Sequence, residues 1–221
     1  MEKVEKIIDY VFKDKSLLMT TFCHSSYANN HNQKSNEKLE FLGDSLLNFI
    51  TTEYLYENYD FNEGESSKLK AYLVSAEYLS QVIDKLDLIK YLLVENKNVL
   101  KSKNVKCDLF EAVLGAIYQD CKDILVVKSF IHKNLKFTAE NIDKIMHEVV
   151  DYKTKLQEFV QENGKNTIAY ELTGKTGEAH NPQFRMRLKI DDKIICENTA
   201  SSKKLAENLC AKQALEIFNK K

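Results

Sequence analysis

The chain has 221 residues, room for one large domain or two small ones, with 43% hydrophobic and 29% charged residues, close to globular averages. Its 32 basic and 33 acidic side chains leave a formal net charge of −1, which by itself advertises no nucleic-acid partner. No apolar run approaches the roughly 18 residues that span a bilayer, and MEKVEKIIDYVFKDK lacks the apolar core of a signal peptide. A cytoplasmic protein with no membrane partner is expected. Five cysteines (Cys23, Cys107, Cys121, Cys196, Cys210), odd in number and without a Cys-x-x-Cys pair, are expected as reduced, mostly buried thiols.

Residues 1–147 read as helices nearly throughout. Leu39, Leu42, Leu46 and Ile50 recur at helical spacing, then Leu69, Leu73 and Ala76, then Val113, Ala116 and Ile117. Polar breaks fall at 29–36, 58–67 and 95–104. A short helix is predicted over Tyr152–Glu162, ended by Asn163-Gly164, and from there the period changes. In FRMRLKI, Phe184, Met186, Leu188 and Ile190 alternate with Arg185, Arg187 and Lys189, the pattern of a half-buried strand. Asp191-Asp192 turns the chain into a second strand, KIICENT, and Ile168–Leu172 supplies a partner. In the closing segment, Ala206, Leu209, Cys210, Gln213, Ala214 and Ile217 line one face of an amphipathic helix. The expected architecture is therefore two domains: an all-α domain over 1–147, then a small α+β domain of order α-β-β-β-α over 151–221, with the boundary near Met146–Asp151. Residues 151–221 hold 13 basic and 10 acidic side chains, so the tail is mildly basic and the body mildly acidic.

The sharpest chemical feature is NEKLEFLGDSLL. At about 100° per residue, Glu37, Glu40 and Asp44 fall within a ~60° arc of one helix. Three acids so close repel one another unless a cation sits among them. Asp108 and Glu111 repeat the i, i+3 spacing in DLFEAVLGAIY. Two such helix faces meeting in space would offer oxygen ligands to Mg²⁺, a hard cation, and paired ions of that kind can cleave a phosphodiester. Gly43 and Gly115 interrupt these helical patterns, where glycine costs about 1 kcal/mol against alanine, which points to a close approach at both.

NEKLEFLGDSLL resembles the signature of the ribonuclease III family, and DLFEAVLGAIY resembles that family's second acidic motif. HSSYANNHN and NEGESSKLKAYLVS match the intervening segments in order and spacing, and 151–221 resembles a double-stranded RNA-binding domain. The resemblance implies a homodimeric endoribonuclease that uses Mg²⁺, with Mn²⁺ able to substitute, on double-stranded RNA. The ends implied are 5′-phosphate and 3′-hydroxyl with two-nucleotide 3′ overhangs, and the substrates are ribosomal and other structured RNA precursors. It also implies that Glu40, Asp44, Asp108 and Glu111 hold the metal and that Asp44, Glu111, Glu37 and Glu63 serve catalysis. Phe41 then matches the aromatic at the dimer interface, and Thr154, Gln157, Glu158, His180, Lys203 and Lys204 match RNA contacts. Such modules read A-form shape more than sequence. Lys203 and Lys204 follow an expected Ser201/Ser202 cap at a helix start, where cations are disfavoured unless an anion completes the site. The Arg185/Arg187/Lys189 stripe is expected on the solvent face of the sheet, away from RNA. One departure is ENTASSKKLAE, which lacks the glycine that family members usually carry before Ser-Lys-Lys. The alternative reading, a catalytically silent double-stranded RNA-binding protein, would be favoured by loss of a metal-matching acid, and all four are present.

Overall fold

The computed structural model describes residues 1–164, 167–178 and 182–219. Three short helices, α1 (Glu2–Ile8), α2 (Lys15–Thr21) and α3 (Ser25–His31), precede the long α4 (Glu37–Asn58). Then follow α5 (Glu63–Leu73), α6 (Ala76–Leu86), α7 (Lys103–Cys121), α8 (Ile124–Asn134) and α9 (Ala139–Val149). Short polar side chains set several of the starts. Asp14, Asn62, Ser75 and Asp123 accept backbone N–H groups of the turns they open, satisfying donors that have no partner inside the helix. Asn32 and Asp87 close α3 and α6 in the left-handed conformation.

The first compact unit, Met1–Ile142, is built around α7, whose stretch Leu109–Ile117 is wholly buried. Its most extensive helix partner is α4, and the two backbones touch. A methyl carbon built at Gly43 would overlap the Glu111 carbonyl, 2.5 Å from its carbon, and one at Gly115 would overlap the Leu39 carbonyl, 2.8 Å from its carbon. The two glycines are therefore the contact points of the α4–α7 crossing.

The apolar stripe of α4 differs from the expected one. Leu39, Gly43, Leu47 and Ile50 are buried, while Leu42 and Leu46 are only half-buried. At ~100° per residue the buried four fall within about 80° of one another, directly beside Glu40. Leu42 and Leu46 instead flank a second apolar face on which Phe41, Phe49 and Tyr56 are exposed. A helix with two apolar faces defeats a reading that assigns it one.

The second unit, Asp143–Lys221, holds the end of α9, then α10 (Tyr152–Glu162), β1 (Ile168–Thr176), β2 (Gln183–Ile190), β3 (Lys193–Ala200) and α11 (Lys203–Asn219). It begins before the Met146–Asp151 stretch because the last turns of α9 are tied to α11. Asn208 Nδ2 donates to the carbonyls of His147 (2.9 Å) and Val150 (2.8 Å), and Lys212 faces Asp143 at 3.6 Å. The strands form an antiparallel sheet in the order β1-β2-β3. Asp191 and Asp192, both at positive φ, make the tight turn that a two-residue hairpin between β2 and β3 needs. Met186, Leu188 and Ile190 are buried against the helices. On the other face Arg187 pairs with Glu197 at 2.5 Å and Lys189 with Glu171 at 2.7 Å, so that stripe is engaged in cross-strand ion pairs. On α11 the buried residues are Ala206, Asn208, Cys210, Ala211 and Ala214. Gln213, expected on that face, is exposed and accepts from Asn198 at 2.7 Å. The small alanines let the helix lie close to the sheet, which narrows the buried stripe.

All five cysteines are free, and four are buried, Cys121 being intermediate. Among the described residues no helix is long and apolar enough to cross a membrane.

Candidate active site

The α4–α7 crossing decides where the acids go. Because Gly43 sits on the Glu111 carbonyl and Gly115 on the Leu39 carbonyl, the first two turns of α4 lie against the middle of α7. Glu40 and Asp44 are thereby brought to the same place as Asp108 and Glu111. Their mutual repulsion records the proximity: Asp108, Glu37 and Asp44 all act on Glu40, and Asp44, Asp108 and Glu40 act on Glu111.

The five acids are not equivalent. Glu111 is only 8% exposed. Burial, and next the Asp44 charge, push its carboxyl up to about 7, with Asp108 and Glu40 adding and the Cys107 thiol opposing. Glu40 is half-buried and also raised, first by burial, then by Asp108, Glu37 and Asp44. Burial raises half-buried Asp108 too, against the opposing His24 charge and its own backbone N–H. Glu37 and Asp44, by contrast, are exposed. Asn48 Nδ2 donates to Asp44 Oδ1 at 2.7 Å, and Ser35 Oγ to Glu37 Oε2 at 2.9 Å, so each is held through one oxygen. Glu63 opens α5, where it accepts from Ser67 Oγ at 3.1 Å.

Two neighbours went unflagged in the residue pattern. His24 faces Asp108 electrostatically and lies in HSSYANNHN. Cys107 points its sulfur at Glu111 Oε1, 3.5 Å away, and one ligand atom from each of Cys107, Asp108 and Glu111 lies within 4.8 Å of the others. The signal for Cys107 was its place one residue before Asp108 and four before Glu111 (i, i+4), one helix face.

In the second unit, Thr154, Gln157 and Glu158 are exposed on one face of α10. Thr154 is fixed by the cap: its N–H and hydroxyl donate to Asp151 Oδ1 and Oδ2 at 3.1 and 2.9 Å. Lys203 and Lys204 are exposed at the start of α11, capped by Ser202 Oγ, which accepts from Leu205 N at 3.1 Å. Thr154, Gln157 and Lys204 line one open groove of about 970 Å³ together with Lys144, Ser201 and Ser202. His180 lies outside the described residues.

Comparison with known proteins matches both parts. Residues 14–138 fit the family model described as Ribonuclease-III-like, and residues 152–217 fit that of the double-stranded RNA binding motif. The chain is 40% identical to Ribonuclease 3 of Clostridium perfringens over 97% of its own length and 92% of that protein's. It is 38% identical to Ribonuclease 3 of Streptococcus gordonii over 99% and 98%. A solved nuclease domain of the Campylobacter jejuni ribonuclease III, described for flexibility in a region of dimer formation, aligns at 31% identity with a TM-score of 0.57. It covers 61% of this chain and 95% of that one. A helical nuclease unit followed by a double-stranded RNA-binding module defines a double-strand-specific endoribonuclease. The chain belongs to the ribonuclease III family, a family of metal-dependent nucleases.

Proposed function

We propose that residues 1–147 cut and residues 151–221 hold the duplex, with Glu40, Asp44, Asp108 and Glu111 binding Mg²⁺, or Mn²⁺ in its place. The observation that carries this is the meeting of four carboxylates from two helices at a backbone contact, with the most buried of them pushed up to about 7. The residues fit a hard cation. All four offer oxygen donors, and the hydrogen bond found for buried Glu111 comes from a thiol, a weak donor. When bound, such a cation polarises the phosphodiester and lowers the pKa of a bound water.

The chain's own residues do the positioning. Asn48 orients Asp44, the glycine contacts set the spacing of the α4 and α7 acids, and Glu37 and Glu63 shape the rim toward RNA. Thr154, Gln157, Glu158 and the Lys203-Lys204 pair take sugar and phosphate contacts, the lysines at a capped helix start that favours anions. His180 belongs to the same expected set.

A homodimer is supported by the outer face of α4, where Phe41 is 79% exposed beside exposed Phe49 and Tyr56. A twofold pairing would bury it and set two sites against opposite strands. The products are then 5′-phosphate and 3′-hydroxyl ends with two-nucleotide 3′ overhangs, from ribosomal and messenger RNA precursors in the cytoplasm. The test is digestion of a long RNA duplex by wild-type protein and Glu111→Gln, with Mg²⁺ and with chelator. Cleavage is expected only for wild type with metal, both proteins binding the duplex alike. Equal rates would overturn the assignment, and binding without any cleavage would favour the catalytically silent reading.

A further inference from the structure

Cys107 is an odd neighbour for a site of hard oxygen ligands. It is 9% exposed, and its sulfur is turned into the acidic cluster. Of the five cysteines it alone is bonded to a carboxylate. Cys23 faces Gln33, Cys121 the Asp123 carbonyl, Cys196 the Cys210 carbonyl, and Cys210 the Met186 carbonyl. Glu111 in turn, 8% exposed, has that weak thiol donor as its side-chain partner. A carboxylate nine-tenths buried beside a weak donor is costly to keep charged, and a cation at that place would offset the cost.

We propose that Cys107, Asp108 and Glu111 form a seat for a thiophilic divalent cation such as Zn²⁺ or Cd²⁺, which competes with the hard cation of the cleavage reaction. The inference rests on the carboxylate reading above and adds the sulfur to it. The geometry suits it. With a zinc–sulfur bond of about 2.3 Å and a zinc–oxygen bond of about 2.1 Å, a tetrahedral angle places sulfur and oxygen about 3.6 Å apart. Cys107 Sγ and Glu111 Oε1 are 3.5 Å apart, and an Asp108 oxygen lies within 4.8 Å of both. Mg²⁺ has little use for sulfur, whereas Zn²⁺ and Cd²⁺ select it. The thiol proton leaves to solvent as the cation binds. A cation so held ties up Asp108 and Glu111 and stops cleavage.

The test uses the full-length protein and Cd²⁺ as probe. Titration of wild type should raise the ultraviolet charge-transfer band of a cadmium–thiolate bond, saturating at one cation per chain and competed away by Zn²⁺. Cys107→Ser and Cys107→Ala, two variants so that one folded protein is secured, should lack the band. Measured against each protein's own Mg²⁺-supported rate, the Zn²⁺ concentration that halves cleavage should rise at least about tenfold in the variants, the loss that removing even an outer-sphere partner brings. A band that persists in both variants would place the cation on another cysteine and overturn the proposal. So would the absence of a band in wild-type protein whose melting temperature Mg²⁺ or Mn²⁺ does raise. If neither Mg²⁺ nor Mn²⁺ moves the melting temperature or supports cleavage, it is the carboxylate reading itself that fails.

Discussion

Gly43→Ala is the most direct probe of how the fold makes the site. The added methyl would stand 2.5 Å from the Glu111 carbonyl carbon and 3.0 Å from its Cα, against an ordinary contact of about 3.5–4.0 Å. Both obstacles are backbone of a buried helix, so no rotamer change relieves them. α4 and α7 must separate by on the order of 1 Å. Alanine returns about 1 kcal/mol of helix propensity, while overpacking a tight core costs typically 1–3 kcal/mol, with backbone clashes at or beyond the upper end. A net destabilisation of about 2 kcal/mol is expected. The chemical loss should be larger in proportion, because the separation carries Glu40 and Asp44 away from Asp108 and Glu111, and a misplacement of about 1 Å can cost roughly 100-fold in rate. Gly64→Ala is the matched control: it also sits in a helix, yet the nearest neighbour of its added carbon is Asn62 Oδ1 at 3.6 Å. Urea unfolding gives the stability of both variants, and duplex cleavage at a temperature where each is fully folded gives the rate. If Gly43→Ala unfolds within about 0.5 kcal/mol of wild type and cleaves at its rate, as Gly64→Ala should, the backbone contact does not hold the site and the reasoning fails.

Three further predictions follow from the same geometry. Glu111, raised from 4.5 to about 7, binds more protons folded than unfolded, so metal-free protein should lose stability as pH rises from 5 to 8. The upper bound is on the order of 3 kcal/mol. Burial lowers His132 and His147, which acts oppositely below about pH 6.5, so the measured quantity is the wild-type slope minus that of Glu111→Gln in chelator. Equal slopes would remove the strain from Glu111. Phe41→Ser should weaken a homodimer by at least about 100-fold, since burying a phenylalanine is worth roughly 1.5–3 kcal/mol and two copies are lost; an unchanged sedimentation profile across dilution would exclude Phe41 from the interface. Lys203→Ala with Lys204→Ala should weaken binding to all duplex sequences alike and flatten the salt dependence by roughly one to two units of slope, and a sequence-dependent loss or an unaltered slope would count against phosphate contact.

Much of the architecture was legible because local chemistry and global fold agree. Alternation in FRMRLKI predicted β2 and its solvent-facing Arg187 and Lys189, and the ion pairs with Glu197 and Glu171 complete that face. Tyr152–Glu162 appears as α10 with those bounds. What periodicity could not supply is depth. It ranked Glu37, Glu40 and Asp44 alike, yet only Glu40 is half-buried, because depth depends on where a second helix crosses. The same limit hid Leu47, buried where Leu42 and Leu46 are only half-buried because α4 crosses the distant α7. Cys107 in a helical pattern reads as a small apolar residue, and only the fold shows that its sulfur faces Glu111.

The features that mark the candidate sites are those that cost stability locally. Glycine inside a helix, acids on one helical stripe, exposed aromatics on a helix face, and lysines at a helix start each work against the isolated element. The described structure relieves only the first. Gly43 and Gly115 are compensated by the backbone contact they permit. The acids remain in mutual repulsion, Phe41 remains 79% exposed, and Lys203 and Lys204 remain at the start of α11. Local conflicts that a fold leaves unresolved are where function is expected to lie, and each kind of unrelieved group selects its own remedy. On the proposed reading, clustered oxygens take a cation, an apolar face takes a second copy of the chain, and capped lysines take phosphate. The proposed divalent metal, homodimer and RNA duplex would together relieve all three, so a single reading accounts for features at opposite ends of the sequence.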